Sequence, residues 1–138
     1  LIDRFFDYKH GRLGWRSVRF ERQVLDVGDF QGTSVMNECD GAVPYTRTHE
    51  FKHFTPDLTF DRTVLYREFS FDPGPDDDLY YPVRTAADLA IHAKYQEAAA
   101  AVPHVHFGGR LGAYAYLDME NTVSTALEAF ESMKRRLG

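Results

Sequence analysis

The chain has 138 residues, enough for one domain with a buried core. Lys plus Arg number 16 and Asp plus Glu 21, a net charge of −5, which excludes a wholly basic module for nucleic acid or anionic lipid. With 43% hydrophobic and 27% charged residues the chain is not disordered, and a single cysteine, Cys39, excludes an intrachain disulfide or a Cys-based metal cluster.

A reducing, cytoplasmic setting is the expectation, with no membrane and no nucleic acid as partners. No apolar stretch has the length to span a bilayer, and Leu1-Ile2-Asp3-Arg4 carries charges where a signal peptide keeps its apolar run. The chain does not begin with Met, which suggests a piece of something larger. Aromatics are abundant, with 11 Phe, 8 Tyr and 1 Trp. They furnish either an aromatic core or a cleft that stacks a ring-bearing ligand.

Residues 5–12 are short and aromatic, broken by Gly11 and Gly14. From 15 to 27, Trp15, Val18, Phe20, Val24 and Leu25 recur near period two among Arg and Glu, which predicts strand. Gly28-Asp29 predicts a turn. Further strands are expected over 30–37, over 43–54 between Pro44 and Pro56, and over 63–71. Strands joined by short turns favour an antiparallel sheet. Pro73-Gly74-Pro75 and Asp76 to Asp78 predict an exposed loop.

After Pro82 the character changes. Ala-rich 86–101 predicts a helix with Leu89, Ala93, Tyr95 and Ala99 as its buried stripe, capped by Thr85 or Asp88. Residues 105–107 predict a short strand running into the glycine loop Gly108-Gly109-Arg110-Leu111-Gly112. A last helix is expected from about Asp118, its cap, with Met119, Val123, Leu127, Phe130 and Met133 on one apolar face. Lys134, Arg135 and Arg136 suit the negative end of its dipole.

His49-Glu50-Phe51-Lys52-His53 matches H-E-x-x-H, which in zinc peptidases needs a helix to bring both imidazoles to one face. Thr46, Thr48, Phe51 and Phe54 give this segment strand chemistry, and residues four apart on a strand stand about 13 Å apart. No metal ligand set is assigned on those grounds. His104 and His106 would share a strand face, a weak metal signal by themselves. Gly109 allows close backbone approach, Arg110 supplies a cationic fork, and Tyr114 to Met119 bring tyrosines and Asp118 to a helix start.

Together these strings resemble one family. Ile2-Asp3-Arg4-Phe5-Phe6-Asp7-Tyr8, Gly11-Arg12-Leu13-Gly14-Trp15-Arg16, Asp29-Phe30-Gln31-Gly32, Pro44-Tyr45-Thr46-Arg47, Tyr80-Tyr81-Pro82-Val83 and Gly108-Gly109-Arg110-Leu111-Gly112 with Tyr116-Leu117-Asp118-Met119 resemble the carboxy-terminal part of UDP-galactopyranose mutases. The resemblance spans essentially the whole chain, in order.

It implies a mixed α/β (α+β) fold. Residues 1–84 would form an antiparallel substrate-domain sheet, and 85–138 a helix, strand and helix that complete a Rossmann-like FAD-binding domain. It implies an isomerase that interconverts UDP-galactopyranose and UDP-galactofuranose for glycan and cell-wall supply, with reduced FAD as the nucleophile at the anomeric carbon. The implied catalytic residues are Arg47, Tyr81 and Tyr116, with Arg47 on the substrate diphosphate and the tyrosines hydrogen-bonded to it. Arg16, Asn37 and Asp118 join them on the substrate side, and Gly109, Arg110, Tyr116, Asp118 and Met119 on the cofactor side.

Two positions depart from the family pattern. Glu38 stands where an aromatic is common and Arg84 where Asn is common, both implied at the sugar end of the cleft. The chain also has no G-x-G-x-x-G strand–turn–helix for the FAD pyrophosphate. The expectation is therefore a piece that lacks its amino-terminal FAD-binding region, inactive alone, with an apolar face open to a partner. The intact protein would be a homodimer. Two alternatives stand beside it: a zinc hydrolase through His49, Glu50 and His53, and a non-catalytic nucleotide-sugar-binding module.

Overall fold

A computed structural model describes residues 1–137 apart from 56 and 58. Pro56 and the Arg136 side chain, both named above, lie outside what is described. The chain is mixed α and β with antiparallel strand pairing. It divides into two compact units, one of residues 1–16 with 76–138 and one of residues 17–75.

The second unit is a sheet. Strand β1 (Trp15–Leu25) enters it at Ser17 and pairs antiparallel with β4 (Thr63–Phe71), from Ser17 opposite Phe71 to Leu25 opposite Thr63. β4 also pairs with β3 (Arg47–His49), which pairs with β2 (Val35–Asn37). β1 and β4 form where expected because their β-branched and aromatic residues sustain a long ladder. The other two strands are shorter than expected. The segment 30–34 is bent, because Glu50 takes the N–H groups of Phe30 and Gln31 that a ladder would need. Beyond His49 the chain turns into a 3-10 helix, Phe51–Phe54, instead of continuing as strand. Its interior is polar: Ser17, Thr48, Glu50, Thr63 and Glu68 are buried alongside Leu65.

The first unit has the apolar core. Ile2 of helix α1 (Ile2–Phe5), Leu13, Trp15, Tyr95 and Tyr114 bury together, with Phe6, Ile91 and Phe107 packed against them. Strand β5 (Tyr81–Pro82) pairs with the first two residues of β1, Arg16 opposite Tyr81. Helix α2 (Ala86–Ala100) starts at a capping box in which Thr85 and Asp88 satisfy each other's backbone N–H. It buries His92 and Tyr95, whereas Leu89 and Ala93 of the expected stripe are exposed. Tyr95 sets that face: its hydroxyl donates to Gly11 O at 2.7 Å and accepts from His10 N at 3.0 Å.

Residues 105–107 are not a strand, and no ladder partner meets them among the described residues. The expected glycine loop is instead a short helix, α3 (Gly109–Ala113), closed by Tyr114 in the left-handed region. Helix α4 (Met119–Leu137) starts where expected, with Asp118 Oδ1 accepting from Asn121 N at 2.8 Å. Met119, Val123, Leu127, Phe130 and Met133 do form one row, and all of them are exposed.

Candidate functional site

In the first unit the site is assembled around Arg110. Its guanidinium donates to Tyr80 O at 3.1 Å and to Leu117 O at 2.7 Å. The same group lies over two rings, 5.3 Å from the Tyr81 centroid and 4.9 Å from that of Tyr116. Those two tyrosines stack at 5.8 Å with an interplanar angle of 25°. Arg110 is thus a post, spanning segments 30 residues apart and fixing a tyrosine pair whose outer member, Tyr116, is 67% exposed. A flat, hydroxyl-bearing, positively charged surface of this kind suits an anionic ligand that carries polar oxygens.

Arg16 stands opposite Tyr81 in the strand register, so it belongs to the same edge. Gly109 has φ +66 and open space where a side chain would stand. Asp118 spends one carboxylate oxygen on the α4 cap, and Met119 next to it is 88% exposed.

Tyr114 and Arg84 also brace one another, a pairing with no local sign in the sequence because they stand 30 residues apart. Tyr114, fully buried, donates its hydroxyl to Gly14 O at 2.8 Å and accepts from Arg84 N at 3.1 Å. Arg84 returns a guanidinium bond to Tyr114 O at 3.0 Å. Burial pushes the Tyr114 phenol above its ordinary pKa, although the Arg84 N–H works against that. Arg84 therefore braces the loop that ends in Tyr81-Pro82. Its left-handed φ of 58 signals that the bond is bought with backbone strain.

The second unit holds Arg47 and Asn37, which face each other across β2 and β3. Arg47 Nε lies 3.5 Å from Glu68 Oε1, and His49 Nε2 lies 3.4 Å from Glu68 Oε2. Thr46 Oγ1 donates to the same carboxylate at 3.1 Å. Glu68 is a buried anchor for the Arg47 guanidinium. The sequence carries no local sign of it, because Thr46 and His49, which meet the same carboxylate, stand 22 and 19 residues from Glu68.

Glu50 is fully buried and accepts from Phe30 N at 3.1 Å, Gln31 N at 2.9 Å and Thr63 Oγ1 at 2.6 Å. Burial pushes its carboxyl up, but the Thr63 hydroxyl, the two N–H groups and Lys52 outweigh it and hold the pKa at about 2. His49 and His53 do not converge: the first meets Glu68, the second Glu50 and Asp29. The H-E-x-x-H match therefore does not make a two-histidine zinc site.

Among the described residues no helix is long and apolar enough to cross a membrane. Residues 1–116 match the model of the family described as UDP-galactopyranose mutase. A probable UDP-galactopyranose mutase of Klebsiella pneumoniae is 42% identical over 127 residues, covering 92% of this chain and 33% of the relative. A dTDP-fucopyranose mutase of Escherichia coli is 42% identical over 127 residues, covering 92% of this chain and 34% of its own length. A UDP-galactopyranose mutase of Mycoplasma pneumoniae is 33% identical over 138 residues, covering 96% and 34%. The chain spans about a third of the length of the curated relatives it matches. With the motifs in order and the match running through most of the chain, it belongs to the UDP-galactopyranose mutase family.

Proposed function

We propose that this chain is the carboxy-terminal part of a flavin-dependent mutase that interconverts UDP-galactopyranose and UDP-galactofuranose. The observation that carries the reading is the Tyr81–Tyr116 stack held over Arg110, which offers hydroxyls and positive charge on one exposed surface. Tyr81 and Tyr116 would donate to diphosphate oxygens, and Arg110 would hold both rings in place while it does so. On the family resemblance alone, Arg47, paired with Glu68, would supply a guanidinium fork to the substrate diphosphate. Arg16 and Asn37 complete the substrate side, and residues 1–84 are assigned to the substrate sheet domain.

Reduced FAD fits the residues present. Gly109 leaves open space beside its backbone, Met119 is exposed, and the Arg110 guanidinium lies over the Tyr116 ring. When bound, FAD would supply the nucleophile at the anomeric carbon. Gly109, Arg110, Tyr116, Asp118 and Met119 would hold it, within a segment 85–138 that returns to a Rossmann-like FAD-binding domain. The 138 residues alone would show no turnover. The intact enzyme would be a cytoplasmic homodimer supplying galactofuranose for glycans and cell wall.

In the intact protein, Arg47→Ala should lower turnover of UDP-galactofuranose at least about a hundredfold, the scale of losing one charge-stabilising donor. Flavin absorbance should be unchanged. Turnover retained in that variant would remove Arg47 from the site. The 42% identity to a dTDP-fucopyranose mutase makes the sugar nucleotide a separate question, answered by running UDP-galactose and dTDP-fucose side by side.

A further inference from the structure

Three side chains of the second unit converge away from the residues assigned to substrate. Asp29, Glu50 and His53 each offer one ligating atom, and the three atoms lie within 4.8 Å of one another. His53 Nε2 is 3.4 Å from Glu50 Oε2 and 3.4 Å from Asp29 Oδ1. The ring nitrogen is buried, yet it makes a hydrogen bond to neither. Ligands bound to zinc at about 2.0–2.2 Å stand roughly 3.4 Å apart at the tetrahedral angle. Both His53 separations have that value.

We propose that Asp29, Glu50 and His53 form a Zn²⁺ site that pins the bend beginning at Asp29 to the 3-10 helix Phe51–Phe54. One imidazole and two carboxylates suit zinc, whereas Mg²⁺ asks for an octahedron of oxygens. Both carboxylates are already oriented by backbone donors. Glu50 is held by Phe30 N, Gln31 N and the Thr63 hydroxyl, and Asp29 Oδ1 accepts from Gly32 N at 2.8 Å.

Lys52 Nζ sits 3.4 Å from Glu50 Oε1, the oxygen not facing His53. It leaves one net negative charge among Asp29, Glu50 and Lys52, so affinity should fall below that of a closed thiolate site. Asp29 is exposed, which gives water access to the fourth position. His49 takes no part, since its imidazole meets Glu68.

The test is to load the protein that carries this chain with Zn²⁺, dialyse it, and measure retained metal and the thermal midpoint with and without EDTA. One zinc per chain and an EDTA-reversible rise in midpoint are expected. Asp29→Asn and His53→Gln should each weaken binding about tenfold or more, while His49→Gln leaves it unchanged. Co²⁺ substitution should give the visible spectrum of a four-coordinate ion. Three results would overturn the proposal: no retained zinc, zinc unchanged in both variants, or zinc lost in His49→Gln. If His53→Gln does not fold, Asp29→Asn at its exposed position decides alone. Mutase turnover is not the readout, so failure here leaves the proposed function untouched.

Discussion

Glu68 pairs with Arg47 from the neighbouring strand: its buried carboxylate places Oε1 3.5 Å from Arg47 Nε, an ion pair in which that nitrogen makes no hydrogen bond. The two residues are also direct register partners across β3 and β4. The backbone ladder and the side-chain pair thus set the guanidinium together, and its outer face stays open to solvent.

That pairing makes Glu68 a positioning residue. In the intact protein, Glu68→Gln should lower kcat/KM about tenfold, or about 1.4 kcal/mol, because the neutral amide steers Arg47 less firmly. Flavin binding should not change. Steady-state kinetics beside a thermal melt separates this from simple unfolding, and full activity in the variant would mean that Arg47 needs no anchor.

Arg110 bonds two carbonyls and covers two rings, a combination that a point-charge ammonium does not reproduce. Arg110→Lys should therefore loosen the Tyr81–Tyr116 stack with no change in charge. Turnover is expected to drop about ten- to a hundredfold, the scale of a misplaced binding group. Quenching of tyrosine emission by added UDP provides a readout independent of flavin chemistry.

His92 makes the first unit sensitive to acid. Burial, and then the nearby Arg84 charge, lowers its pKa below 6.5, so the folded state resists protonation more than the unfolded chain does. Its stabilising share is present above the ordinary value of 6.5 and is lost as pH falls through that value toward the depressed one. Urea midpoints taken at about pH 7.5 and about pH 5.5 should differ in the native sequence and converge in His92→Gln. An unchanged difference in the variant would assign the acid sensitivity elsewhere.

Gly14 and Asp88 form a second testable pair. Gly14 N donates to Asp88 Oδ1 at 2.9 Å, and a Cβ on Gly14 would stand 3.1 Å from that oxygen. Gly14→Ala should displace the carboxylate and weaken the α2 cap by about 1 kcal/mol. The same substitution in an Asp88→Ala background should be nearly silent. A double-mutant cycle on urea unfolding measures the difference, and additive effects would show that the two do not communicate.

The long elements were legible because their signals are local. β4 and β1 carry runs of β-branched and aromatic residues, and the caps of α2 and α4 lie within three residues of what they cap. The shorter elements depend on partners far along the chain. The segment 30–34 has strand chemistry, yet the N–H groups of Phe30 and Gln31 go to Glu50, 20 and 19 residues away. The site divides in the same way. Arg47, Tyr81, Tyr116 and Arg110 are carried by recognisable strings, whereas Glu68 and Tyr114 act across 22 and 100 residues. Arg84 also donates to Tyr114 O, 30 residues away, a contact with no local sign in the sequence.

The polar interior of the second unit has a consequence for folding fidelity. Glu50, Thr63 and Glu68 meet the partners described above only when each strand lies in its native register. Sliding β4 by one residue would turn Leu65 outward and strand the Glu68 carboxylate away from Thr46, Arg47 and His49. An oily interior would forgive such a slip in part, since one aliphatic contact replaces another. Here each misalignment leaves a buried charge unanswered. The sheet gains less from its interior in strength than in the refusal of every pairing but one.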